Sequence, residues 1–186
     1  TKQLFMWTLI TAVGLAVGIS ALCSLTEAVL YSVPWSHIEN LRKSGKKSGH
    51  ILFGLRTRVE EPITAILTLN TVANTAGASV AGAAAVAVFG EGSLFTFSIV
   101  FTLLILFFSE IIPKTLGVIY NRFFSTLLAK PLAVLVVVFK PMIKAIGVVV
   151  GFLSRAEAGP ETSEEDVRAL ATLTRKSGVL KRFEEL

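Results

Sequence analysis

The sequence predicts an all-α membrane protein with three transmembrane helices, interfacial juxtamembrane helices and a cytoplasmic helical tail. Three observations predict it. Of 186 residues, 53% are apolar, and the mean hydropathy is +0.70, above the roughly 45–50% apolar content of soluble domains. Charged residues make up only 17% and are clustered rather than dispersed. Between the clusters lie three uncharged runs. Each is long enough to cross a hydrocarbon core of about 30 Å, which takes about 20 helical residues.

The first run, Gln3–Thr26, has 24 residues without a charge. It is too long, with Glu27 too close behind it, for a cleaved signal peptide, and it reads as a retained helix. The second, Pro62–Gly90, is uncharged for 29 residues, and the third, Gly92–Ser109, for 18. Basic residues orient them. Arg42, Lys43, Lys46, Lys47, Arg56 and Arg58 lie between the first two runs, and Lys114, Arg122, Lys130, Lys140 and Lys144 follow the third. The connection around Phe89–Ser93 has no base. Basic loops stay cytoplasmic, so the amino terminus is expected outside and the carboxyl terminus in the cytoplasm.

Residues 131–153 are apolar, yet bases recur through the region and prolines stand at Pro131 and Pro141. Both prolines are expected to break a continuous helix. A fourth span would put Lys140 near its middle, at a cost of about 2.5–3.5 kcal/mol. Short amphipathic helices along the inner headgroups, their lysines reaching acidic lipid, are the preferred reading. The alternative is that the segment crosses. Residues 1–155 thus form the membrane domain. Residues 156–186 read as the start of a cytoplasmic helical linker, with Thr162 or Ser163 to cap it and Gly178 to stop it. The sequence stops inside a further helical pattern, as a piece of a longer protein would.

Polar residues inside the three runs carry the functional signal. Ser20, Ser24 and Glu27 share one helical face, as do Asn70, Asn74 and Gly77. Ser109 and Glu110 end the third run. At about 1.5 Å per residue, Asn70 and Asn74 lie ~12 and ~18 Å from the inner boundary and Glu110 ~27 Å from the outer one. Most of these positions therefore fall in the inner half, where three helices can bring them together. An ionisable group at such depth faces a partner or water and marks function.

The donors are hydroxyl, amide and carboxylate oxygens, which suit hard cations such as Mg²⁺, Ca²⁺ and Na⁺. His37 and His50 sit in the basic loop and Cys23 is the lone cysteine, a poor set for zinc or copper. Pro113 lacks an N–H and frees the carbonyl of Ser109 from its helical bond, which makes that carbonyl a further candidate ligand. Competing structural roles exist for each residue. Ser20 can bond its own backbone, Asn70 and Asn74 can clasp a neighbouring helix, and Glu27 can snorkel or pair with a base. Lys114 can pair with Glu110 or anchor at the interface. The small-residue segments Gly14–Gly18, Ala76–Ala85 and Gly147–Gly151 read as close helix packing, within the subunit or across a dimer. No nucleophile–base pair accompanies them, so the sequence does not read as an enzyme, and no nucleic-acid-binding motif accompanies the bases.

Three segments, Ser20–Ser32 "SALCSLTEAVLYS", Leu67–Ser79 "LTLNTVANTAGAS" and Ser109–Gly117 "SEIIPKTLG", together resemble the transmembrane domain of the CNNM/CorC magnesium transporters. They occur in the family's order and cover about residues 1–155. The resemblance implies a homodimer of three-span subunits with an interfacial belt, and Mg²⁺ export driven by inward Na⁺. It also implies cytoplasmic CBS domains that sense ATP, absent from this sequence. It carries the ion-binding role onto Ser24, Asn70, Asn74 and Glu110, with Ser20 and the Ser109–Glu110 backbone as further positions. Mg²⁺ is the expected transported ion and Na⁺ the second candidate. The other reading from a different class is a membrane anchor and ion sensor that holds a CBS module and regulates another transporter.

Overall fold

The computed structural model describes residues 2–154, and no strand occurs among them. The linker expected over 156–186 lies outside the described residues. Three long helical segments follow the three uncharged runs, the first extending six residues and the third ten residues beyond its run. Helix α1 spans Lys2–Ser32 and α4 spans Glu60–Phe89. The third begins with a 3₁₀ turn at Glu91–Ser93 and continues as α5, Leu94–Leu104. A π-helical segment at Ile105–Ile111 then leads into α6, Ile112–Ile119. Between α1 and α4 stand two short helices, α2 (Trp35–Lys43) and α3 (Lys47–Thr57). After α6 come α7, Asn121–Val138, and α8, Lys140–Ser154.

Burial along these helices is inverted relative to a soluble bundle. Trp7, Leu15 and Leu22 of α1 are 61%, 64% and 58% exposed, while Ser20 and Ser24 are 0% and 2% exposed. Large apolar side chains face outward and small or polar ones inward, as a lipid solvent requires. The chain is a multi-pass membrane protein. By length and apolarity four helices qualify as spans, the fourth being α7.

The clusters fix how the helices run. Leu9 of α1 packs with Ala81, Ala84 and Ala85 of α4 and with Phe97 of α5 at the end where α4 turns into α5. Cys23 and Leu30 pack with Ile66 of α4 and Leu132 of α7 at the opposite, basic end. Helices α1 and α4 are therefore antiparallel. Beyond the end of α1, Val33, Ile38, Leu41 and Leu52 of the α2–α3 segment close over Ala129 of α7. Arg56 donates to the carbonyl of Leu30, one of the last carbonyls of α1 that lack a helical donor. The α7 side chains in these clusters all lie at the basic end.

Two expectations change. Pro131 does not break a helix but lies inside α7. Its neighbours Ala129 and Leu132 are 0% and 4% exposed in two different clusters. That burial, on both sides of the proline, holds the helical path against the lost hydrogen bond. Pro141 does fall at a boundary, in the first turn of α8. The Gly14–Gly18 pair is not a packing seam within the protomer, since a Cβ on either would meet nothing within 4 Å. Close approach occurs instead at Gly77 and Gly117. A Cβ on Gly77 would overlap the Ala16 Cβ, and one on Gly117 would lie 2.8 Å from the Leu25 carbonyl oxygen and 2.9 Å from the Ala28 Cβ.

One compact unit ends at Lys144, and Ala145 begins a second, of which the described part is the rest of α8.

Gly117→Ala is expected to push α6 off α1 and lower stability by about 1–3 kcal/mol, the usual cost of overpacking. Gly54→Ala, where nothing lies within 4 Å, is expected to leave stability unchanged or raise it by about 0.5–1 kcal/mol. Thermal melts in detergent read both, and equal losses would contradict the packing described.

Candidate functional site

The Ala16–Gly77 contact sets the heights of the polar residues. Ser20 lies four residues beyond Ala16 toward the basic end, and Asn74 lies three residues from Gly77 in the same direction. Each is one helical turn below the contact and on the contacting face. Ser24 and Asn70 follow one turn further on. Antiparallel α1 and α4 thus present two rungs of oxygen donors, Ser20 with Asn74 and Ser24 with Asn70.

The third segment runs parallel to α1. Ser109 Oγ donates to the Val17 carbonyl at 3.1 Å, and Gly117, eight residues on, meets Leu25 and Ala28. Glu110, next to Ser109, lines a cleft of about 430 Å³ together with Asn74, Thr75, Ala78, Thr102 and Ile105. The π-helical segment makes this possible. The Ile112 N–H bonds to the Phe107 carbonyl, five residues back, a wide turn of the kind that re-aims side chains at functional positions. Ser109 then serves α1, and its neighbour Glu110 faces the α4 cleft.

Hydrogen bonding separates the candidates from ordinary membrane hydroxyls. Thr8, Thr11, Thr26, Thr68, Ser79, Ser98 and Thr115 each donate to the carbonyl four residues back. Ser20 and Ser24 do not. Among the described residues their Oγ atoms are buried without a partner, and so is Oδ1 of Asn74. Asn74 Nδ2 points to Asn70 Oδ1 at 3.4 Å, which turns the Asn74 oxygen away from that contact. A buried polar atom left unpaired costs about 1–3 kcal/mol. Of the three, Asn74 shares the cleft with the Glu110 carboxylate, and Ser20 and Ser24 lie on the facing helix α1; oxygens of these kinds are the ones hard cations take.

Charge is arranged to match. Glu27 of α1 pairs with Lys114 of α6 at 3.4 Å, which realises the base-pairing option for Glu27 and removes Lys114 from Glu110. No ion pair engages Glu110 among the described residues. No group of three His, Cys, Asp or Glu side chains comes together there either, so the donor set is one carboxylate plus neutral oxygens.

Of the expected site residues only Asn74 and Glu110 line the cleft; Ser20, Ser24, Asn70, Ser109 and Pro113 do not. The Ser109 hydroxyl is engaged by Val17, so its side chain ties two helices together. Pro113 lines an apolar groove with Gly14, Gly18, Leu22 and Leu116. The expected helix break at Pro113 takes the form of the π segment before it. The carbonyl deprived of a donor is Ser109 in α register or Phe108 in π register. Sequence reasoning missed Thr75 and Thr102 as cleft residues. The signal was present, since Thr75 adjoins Asn74 and Thr102 lies eight residues, about two turns, before Glu110.

Comparison with known proteins adds the relationship. The family model described as CNNM, the Cyclin M transmembrane N-terminal domain, matches residues 10–184. The UPF0053 protein sll1254 of Synechocystis sp. is 34% identical over 180 residues, which cover 97% of this chain and 52% of that protein. A chloroplastic DUF21 domain-containing protein of Arabidopsis thaliana, At1g55930, is 28% identical over 178 residues, covering 90% of this chain and 26% of its own length. The chain therefore spans about half of one relative and about a quarter of the other.

Without divalent cation, Ser24→Ala removes an unpaired buried hydroxyl and is expected to leave the melting temperature unchanged or raise it. Ser109→Ala breaks the bond to Val17 and is expected to cost about 1 kcal/mol. Melts in the presence of a chelator compare the two, and a larger loss for Ser24→Ala would mean its hydroxyl has a protein partner after all.

Proposed function

Because the chain belongs to the family of CNNM transmembrane domains, we propose that it is the membrane part of a secondary transporter that carries Mg²⁺ through a largely dehydrated intramembrane site. One observation carries this reading: among the described residues Ser20 Oγ, Ser24 Oγ and Asn74 Oδ1 are buried with no partner, and Asn74 shares a cleft with Glu110, a carboxylate that no ion pair engages there. Glu110 supplies the charge, and Ser20, Ser24, Asn70 and Asn74 supply neutral oxygens, with a carbonyl of the π segment as a further donor. Mg²⁺ demands near-octahedral oxygens at about 2.0–2.1 Å and sheds water reluctantly. A single carboxylate keeps its binding moderate, so it can leave again when the helices move against one another.

The basic end is then the cytoplasmic side, with the amino terminus outside and α7 and α8 along the inner headgroups. The transporter works as a homodimer, with Na⁺ entry driving Mg²⁺ export and cytoplasmic CBS domains regulating it. Those parts of the reading rest on the family and on the charge pattern.

In proteoliposomes, Glu110→Ala and Asn74→Ala are expected to abolish Mg²⁺ flux. The same variants are expected to lose the Mg²⁺-dependent rise in melting temperature, which amounts to about 2.7 kcal/mol of stabilisation at a hundredfold excess over Kd. Normal flux through either variant would defeat the proposed site. A wild-type thermal shift without flux would favour the anchor-and-sensor role over transport.

A further inference from the structure

We propose that Glu27 is a positioning residue whose task is to hold the Lys114 ammonium away from Glu110, so that the Glu110 carboxylate stays free for the cation. The inference rests on the transport reading above and adds a residue to it. A Glu followed four residues later by a Lys is the favoured intrahelical ion pair. Glu110 and Lys114 have that spacing, so Glu110 is the default partner of Lys114. In the structure Lys114 Nζ instead lies 3.4 Å from Glu27 Oε2, across the α1–α6 contact.

Two features produce the exchange. The π-helical segment Ile105–Ile111 re-aims side chains at its end, and Glu110 lines the cleft with Asn74 of α4 while Lys114, in the first turn of α6, reaches α1. The close approach of Gly117 to Leu25 and Ala28 brings Glu27, which lies between those residues on α1, next to the first turn of α6. Glu27 is itself three residues past Ser24, one turn beyond the oxygen donors toward the basic end. A carboxylate there compensates the lysine without entering the donor set.

The consequence is a competition that either partner controls. Removing the Glu27 charge releases Lys114, whose remaining nearby anion on its own helix is Glu110. A tethered ammonium then competes with the metal for that carboxylate. Removing the Lys114 charge removes the competitor. The two substitutions, which a merely structural ion pair would make equivalent, therefore act differently on ion binding.

A zero-length carbodiimide crosslink followed by peptide mass spectrometry reads the pairing with no metal present. A Mg²⁺ titration of the melting temperature reads its effect on binding. The wild type is expected to give a Glu27–Lys114 product and Glu27→Gln a Glu110–Lys114 product. Glu27→Gln is expected to raise the half-maximal Mg²⁺ concentration about tenfold, equivalent to about 1.4 kcal/mol. Lys114→Met is expected to leave that concentration unchanged or lower it, and the Glu27→Gln/Lys114→Met double variant to return it to the wild-type value. Absence of a Glu110–Lys114 product in Glu27→Gln, or a double variant as weak as Glu27→Gln alone, would overturn the proposal. A crosslink that moves as stated in a protein whose melting temperature never responds to Mg²⁺ would overturn the transport reading and leave only the control of Lys114 by Glu27 in place.

Discussion

Helices inside a bilayer gain nothing by leaving apolar lipid for one another, so close backbone approach must supply the attraction. In this protein α1 makes that approach twice, to Gly77 of α4 and to Gly117 of α6. The two contacts do more than hold three helices together. Because neither partner carries a side chain at the point of contact, neither helix can slide along α1 without losing the fit. Every polar residue near the site inherits its height from one of them. Ser20 meets the level of Asn74 through the first, and Glu27 meets Lys114 through the second.

Within that frame, polar groups meet four different fates. Most hydroxyls donate to their own helix, which satisfies them without help from a neighbour. A few groups tie elements together, as Ser109 does to Val17 and Arg56 does to Leu30. Glu27 and Lys114 neutralise one another. Among the described residues the Ser20 and Ser24 hydroxyls and the Asn74 side-chain oxygen have no partner, and Glu110 has no counter-ion. A membrane interior tolerates such groups poorly, and Asn74 and Glu110 of this group share one cleft.

Much of this was legible in the sequence. Uncharged runs gave the long helices because their length is dictated by bilayer thickness. Four-residue spacings gave the shared faces of Ser20 with Ser24 and of Asn70 with Asn74. The isolated Glu110 stood out because a charge in an apolar run has few reasons to be there. Other features were hidden. Pro131 reads as a helix breaker locally, but packing on both sides of it prevails. The Gly14–Gly18 spacing reads as a packing seam within the subunit or across a dimer, and within the protomer the close contact uses Ala16 and the glycine of another helix instead. Lys114 has an obvious local partner in Glu110 and a non-local one that no spacing reveals.

Composition, charge placement and helical periodicity by themselves determined that this chain is an all-α membrane protein, roughly where its three longest helical segments lie, and which oxygens share a face. These are properties of single helices in contact with lipid or water, and hydropathy and a 3.6-residue repeat suffice to encode them. The tertiary structure alone decided that the third segment widens into a π-helix before Pro113, which hydroxyls lack partners, and that Lys114 turns to Glu27. Each of those outcomes depends on how closely two backbones approach, and that distance is set jointly by residues far apart in sequence.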